Sequence, residues 1–243
     1  MAAGSRKADR TAEPHGAAAG ATIGTTGRVS HNLNGQRLGR KGRGTRDRIL
    51  TACAALLADP ADAPISMSAI ARRASLGMTS LYNYFGDLTE VLLAVLDPVM
   101  ATAEESYLAI LRERWPDAEL RHRCHAFINA YHGFWARHSR LLHLRNAMAD
   151  SGDERMLIHR VRSTEPLIGL FVAQMDGEGD DMQAPLRGVA TVLMTGIERT
   201  VTVATDSILI GLFGEARRRD PDYYLQPAAR LMELVIADTR TAG

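Results

Sequence analysis

His122, His125 and His132 stand at i, i+3 and i+10, close to one helical face, with Cys124 beside them. That spacing invites a metal, but a zinc site needs three or four convergent ligands and a second shell to orient them. The chain has no H-E-x-x-H and no C-x-x-C, so these side chains read as polar positions lining a cavity, and no metal is expected. His138, His143 and His159 read as helix surface or pocket lining. For nucleophilic catalysis there is no G-x-S-x-G elbow, and for phosphate cradling no G-x-x-x-x-G-K-[ST]. Gly177 and Gly179 sit in an acidic loop that repels phosphate. Glu104 and Glu105 are adjacent, hence about 100° apart on a helix, and cannot work together. No constellation supports an enzyme, and no cofactor is expected.

Recognition is the chemistry the residues do support. The segment Ile65–Val95 reads as two short helices hinged at a tight turn, an aromatic plug, and a longer helix. Ile70, Ala71 and Ala74 form a small apolar stripe on the first short helix; Leu81 and Phe85, four apart, do the same for the second. Ala71 is small where two steeply crossing backbones approach. The outward residues Met78, Thr79, Ser80, Asn83 and Tyr84 are short or polar and carry no acid, which suits a surface entering a phosphate-lined major groove. An ordinary helical hairpin is the bland alternative.

The same residues resemble the DNA-binding domain of the TetR family of bacterial regulators. Arg46–Ala52 (RDRILTA), Ile70–Ala74 (IARRA) and Leu81–Phe85 (LYNYF) stand in that family's order over about 50 residues. The resemblance implies an all-α fold, with an N-terminal three-helix helix-turn-helix DNA-binding domain and a larger C-terminal helical domain for ligand binding and dimerisation. It implies DNA contacts from Arg43, Thr45, Ser66, Ser68, Met78, Thr79, Ser80, Tyr82, Asn83 and Tyr84. Two positions depart from the pattern. Ser75 stands where Gly is usual, so either Ser75 takes up the left-handed geometry or Gly77 absorbs it. Leu88 stands where a phosphate-binding Lys is usual, which removes one contact and flattens the salt dependence.

Composition agrees with a reader of nucleic acid. Of 243 residues 46% are apolar, ample for a core, yet no run is long enough to cross a membrane. No signal peptide is evident, and Cys53 and Cys124 lie in apolar helical contexts, so a reduced, cytoplasmic protein is expected. Residues 1–48 hold ten Arg and Lys against three acids, a balance of +7 within a chain of net charge +1. A basic N-terminal part is thus joined to an acidic body.

Residues 1–40 have almost no periodic hydrophobics and read as a disordered basic arm. The DNA-binding domain is placed at 41–92 and the body at 93–243. Arg37, Arg40, Lys41 and Arg43 precede the first helix and follow the DNA backbone or its minor groove; Thr45 is the expected N-cap of that helix, which runs to 58. Ser66 or Met67 opens the second. A longer helix starts at Asp87 or Thr89 and is interrupted at Pro98. Later helices are predicted near 117–137, 139–149, 153–177, 183–216 and 221–240.

Aromatic and Met residues on successive body helices, interrupted by polar ones, predict a cavity for a small, largely apolar effector. The candidates are Phe127, Asn129, Tyr131, His132 and Trp135 on one helix, Met148 and Met175 beyond it, and Met194, Thr195 and Glu198 late in the chain. Leu186, Val189, Leu193, Ile197, Val201, Ala204, Ile208 and Leu212 make one long stripe; Leu225, Ala229, Met232 and Ile236 make another. These are core or, through 186–212 and 225–236, a homodimer seam, which two DNA half-sites require. The reading is a ligand-responsive regulator, a repressor of palindromic double-stranded DNA. The alternative is an all-α protein-interaction or effector-binding module with a vestigial helix-turn-helix.

Overall fold

The computed structural model describes residues 37, 39–59, 64–177, 180–206, 220 and 222–241. Most of the arm expected over 1–40, and the stretch carrying Ile208 and Leu212, lie outside the described residues. The elements are α1 (Arg40–Leu57), α2 (Met67–Arg73), α3 (Met78–Tyr82), α4 (Leu88–Ala101), a π turn (Glu104–Leu108), 3-10 turns at Ala109–Leu111 and Asp117–Glu119, α5 (Leu120–Arg137), α6 (Ser139–Asp150), α7 (Glu154–Gln174), α8 (Asp180–Ala204) and α9 (Asp222–Thr241). The all-α expectation holds: no β-strand occurs among the described residues. No helix among them is long and apolar enough to cross a membrane.

The first helix starts earlier than its sequence suggests. Gly39 is the N-cap, so Arg40, Lys41 and Arg43 belong to the helix rather than to a preceding arm. Thr45 is therefore not a cap; its hydroxyl donates back to the Lys41 carbonyl at 3.1 Å. Gly42 and Gly44 each disfavour helix by about 1 kcal/mol. Extending a helix already anchored by buried Ile49, Ala52 and Cys53 still gains one bond per residue.

In α4 the backbone passes Pro98 without a break. One lost N–H costs about 3 kcal/mol in an isolated helix. The adjacent turn buries Val95 and Leu96, each worth about 1.5–3 kcal/mol, which offsets that loss. The interruption comes later, at Thr102, the C-cap of α4, two residues before the π turn begins at Glu104. The division expected after residue 92 falls inside this continuous helix.

Helices α1–α3 and the start of α4 form a head; the rest forms a body. In the head, Ile70, Ala71, Ala74, Leu81 and Phe85 are buried against Ile49, Ala52 and Cys53, and the Arg46 guanidinium lies 5.0 Å above the Phe85 ring. In the body, α9 packs along α5 and α8, and α7 bridges α6 and α8. Leu186, Leu193, Ile197 and Val201 are buried within the chain, as are Leu225, Ala229, Met232 and Ile236. The core alternative therefore holds for these side chains. Val189, expected in the same stripe, is instead exposed, and Val192, Leu231 and Leu234 face outward with it.

Candidate functional site

The turn between α2 and α3 decides how the head presents itself. Ser75 has φ 53°, while Gly77 has φ −73°, so Ser75 carries the left-handed geometry. The Leu76 N–H bonds to the Ala71 carbonyl at 2.9 Å and the Ser75 N–H to the Arg72 carbonyl at 3.2 Å. This paired pattern is the Schellman motif, in which Gly is favoured at the position Ser75 holds. Ser66 caps α2, its hydroxyl accepting from the Ala69 N–H at 3.2 Å and meeting the Ser68 hydroxyl at 3.1 Å.

With Leu81 and Phe85 buried, α3 turns outward Met78 (38% exposed) and Tyr82 (47%) together with Thr79, Ser80 and Asn83. Tyr84 is half-buried against the core. No charge stands on α3. Arg72 and Arg73 on α2, which packs against α3, are exposed, as are Arg43, Asp47 and Arg48 on α1. Leu88 packs partly into the core and offers no cation.

Polar bonds fasten the head to the body. Asp87 caps α4 through the Glu90 N–H at 2.9 Å and receives Arg155 of α7 at 2.8 Å. Asp153 caps α7 through the Met156 N–H at 3.1 Å and receives the Thr89 hydroxyl of α4. Arg140 of α6 donates to the Leu56 carbonyl at 2.6 Å and the Asp59 carbonyl at 3.2 Å, closing the C-terminus of α1. Burial works against ionising Asp87 and Asp153, but the hydrogen bonds and Arg155 outweigh it and hold both below the usual carboxylate range.

Where the end of α4 and the π turn meet α5, α6 and α7, the body leaves a narrow cavity of about 10 Å³, room for about one water molecule. Tyr107, in the π turn, stands edge-on to Tyr131 and Phe134, ring centroids 5.0 and 5.1 Å away. Met100, Leu142 and Leu167 supply apolar wall; Trp135, Arg145, Ser163 and Thr164 complete it. Arg145 is 4% exposed and lies 5.8 Å above the Trp135 ring. It donates to Asn146 at 3.0 Å, Ser163 at 3.2 Å and Glu198 of α8 at 3.3 Å. Burial lowers its pKa, opposed by Glu198; a guanidinium remains charged regardless. His159, one turn before Ser163, is pushed down to about 4 by burial and then by Arg145, and its Nδ1 is buried without a hydrogen-bond partner.

Of the ten side chains expected to line a cavity, Tyr131 and Trp135 do, and Glu198 holds Arg145 at its edge. Phe127 packs behind, stacked on Tyr131 at 5.9 Å. Asn129 and Thr195 are exposed, His132 and Met148 half-buried away from the lining, and Met175 and Met194 sit in the core. Sequence reading missed Arg145 and Tyr107. An arginine between Leu144 and Asn146 looks like helix surface, and only the absence of an apolar residue at its place in the Leu141/Leu142 stripe hinted otherwise. His122, His125 and His132 lie on α5, and no three potential metal ligands converge among the described residues.

Two short helices joined by a tight turn, carried with a first helix on a larger helical body, define an all-α fold with an N-terminal helix-turn-helix. No family model matches the sequence, and no curated protein matches it. Among solved structures the chain is similar to a TetR-like transcriptional regulator from Rhodococcus sp. RHA1, with a TM-score of 0.51 and 19% identity, covering 83% of this chain and 97% of that one. The shared feature is the fold.

Proposed function

We propose that this chain is a ligand-responsive transcriptional repressor that binds palindromic DNA as a homodimer in the cytoplasm and leaves it when a small effector enters the body. The observation that carries the reading is α3: its core face is Leu81, its outward face is uncharged, and the helix packed against it, α2, carries exposed Arg72 and Arg73. Such an arrangement lets Arg43, Arg72 and Arg73 neutralise phosphates while Thr79 and Ser80 approach base edges. Tyr82, Asn83, Ser68 and the partly buried Tyr84 position the head on the backbone. The fold shared with a TetR-like regulator supports the same reading.

A dimer is supported by the outward apolar residues of α8 and α9, Val192 at 74% and Leu231 at 55% exposed, and by the open groove beside them at Thr200, Tyr223 and Pro227. Two heads at fixed separation supply the specificity that one short helix lacks. An effector with a differential affinity of about 1–3 kcal/mol between head arrangements would weaken DNA binding about 5–150-fold.

Selection of bound duplexes from a random pool by the purified protein tests the proposal. An inverted repeat should emerge, and its affinity should fall with salt by about 0.9 logarithmic units per phosphate contact. Thr79→Ala should change the preferred bases, whereas Tyr82→Phe should weaken all duplexes alike. A pool that shows no enrichment and no salt dependence rules the regulator out.

A further inference from the structure

We infer that the open groove between α8 and the start of α9 binds a small organic cation, an ammonium group carrying an aromatic or alkyl body. The site goes beyond the regulator reading: its chemistry stands whether or not occupancy moves the head.

Space comes first. The cavity beside Arg145 has room for about one water molecule. The groove offers about 650 Å³, within the roughly 300–1,000 Å³ usual for small-molecule sites. Its wall is aromatic, apolar and acidic, and neither Lys nor Arg lines it. The aromatic part is Tyr223 and Tyr224, whose rings stand at 88° with centroids 5.0 Å apart. Two perpendicular rings bound a corner with two π faces, and a π face attracts a cation and repels an anion. Pro227 and Leu231 continue the wall as apolar surface for the body of the ligand.

The sign of the ligand follows from the polar groups. Asp222 is the one charged residue of the wall, and no ion pair engages its carboxylate among the described residues. His132 of α5 faces Asp222, but burial holds its pKa below 6.5, so it is neutral at pH 7 and leaves that charge uncompensated. A helix start ordinarily attracts anions through its free N–H groups. Here Asp220 takes the first two: the Asp222 N–H donates to its carboxylate at 3.1 Å and the Tyr223 N–H to its carbonyl at 2.8 Å. The Thr200 hydroxyl donates to the Gly196 carbonyl at 2.8 Å, so Thr200 turns lone pairs to the groove. A cation thus meets a carboxylate, two π faces and an accepting oxygen, where an anion would meet repulsion from each.

Calorimetric titration of the full-length protein with benzyltrimethylammonium, benzyl alcohol and tetramethylammonium tests this. Benzyltrimethylammonium should bind at least about tenfold more tightly than benzyl alcohol, which keeps the ring, or tetramethylammonium, which keeps the charge. Asp222→Asn, which removes the charge at constant shape, should weaken it about fivefold. Tyr223→Leu should weaken it about fivefold, whereas Tyr223→Phe, which keeps the π face, should stay within about twofold of the wild type. Circular dichroism of each variant confirms folding. Equal affinity for benzyl alcohol, unaltered binding in Asp222→Asn, or no binding of any probe overturns the cation site. Binding confined to a Val192→Asp monomer would mean that a second copy of the chain fills the groove, and overturns it too. The titrations contain no DNA, so each of these failures leaves the regulator reading to the duplex selection above.

Discussion

The hydroxyl of Thr89 donates to a carboxylate oxygen of Asp153 at 2.5 Å, bonding the second residue of α4 to the residue that caps α7. The partnership runs both ways, since Asp87, which caps α4, receives Arg155 from the first turn of α7. Two helices of different regions thus start in each other's company, and head and body meet where both are built. The two contacts differ in strength. Thr89 is buried at 4% exposure, whereas the Arg155–Asp87 pair is half-exposed on both sides. Thr89→Val should cost about 1.5–3 kcal/mol in urea unfolding, the worth of a hydrogen bond to a charged group. Arg155→Ala should cost less than about 1 kcal/mol. The reverse order would mean that the ion pair, and not the hydroxyl, fixes the joint.

At Ser75 the backbone is left-handed with a side chain in place. That geometry costs a non-Gly residue about 1–2 kcal/mol, while Gly loses about 0.5–1 kcal/mol more chain entropy on folding. The difference favours glycine. Ser75→Gly should raise the melting temperature by about 2–4 °C per kcal/mol gained, as expected for a chain of this size. A lower melting temperature would show that the Ser75 side chain makes a contribution of its own.

The outward faces of α8 and α9 separate association from folding. Val192→Asp alters a side chain that is 74% exposed and should give a folded monomer in sedimentation. Ile197→Asp, at 2% exposure, should unfold the chain, because an unpaired buried charge costs several kcal/mol. A Val192→Asp protein that sediments as the wild type does places the seam elsewhere.

His159 gives the stability curve a definite shape. Its folded pKa of about 4 lies below the ordinary value of 6.5, so between those values the unfolded chain binds the extra proton. Stability should therefore fall as pH drops from 6.5 towards 4, and His159→Gln should flatten that limb. Asp87 and Asp153 act lower down. Their folded values are depressed, so their contribution is present above the ordinary value of 3.8 and is lost as pH falls through the folded one. Urea midpoints of the two proteins across pH 4–7 check the His159 part; parallel curves refute it.

The head was legible because local rules write it. Ala71 between Ile70 and Ala74, and Leu81 four before Phe85, fix two short helices by periodicity alone, and the buried set is the one those spacings name. The turn left one ambiguity, whether Ser75 or Gly77 bends, which depends on hydrogen bonds five residues apart that composition does not reveal. The cavity was legible only where an aromatic stripe on α5 supplied Tyr131 and Trp135. Arg145 escaped because its meaning depends on Glu198, 53 positions away; one-dimensional spacing treats a charged residue as solvated. The α8 stripe showed that a face was buried, but an apolar residue has the same pattern whether the surface covering it belongs to its own chain or to another.

The π turn at Glu104–Leu108 makes chain length a control on cavity shape. A π turn closes a ring one residue larger than an α turn, so it behaves as an insertion lodged between α4 and the 3-10 turn. Removing one residue there lets the segment wind as an α-helix and rotates Tyr107 by about 100° about the axis, out of the slot it now closes. The head lies upstream, capped at Asp87 and built before Leu88, and its register is unaffected by such a deletion. A single codon at this place could therefore reshape the wall around Arg145 while leaving untouched the surface that α3 presents. Substitution of the wall residues would be a slower route to the same divergence.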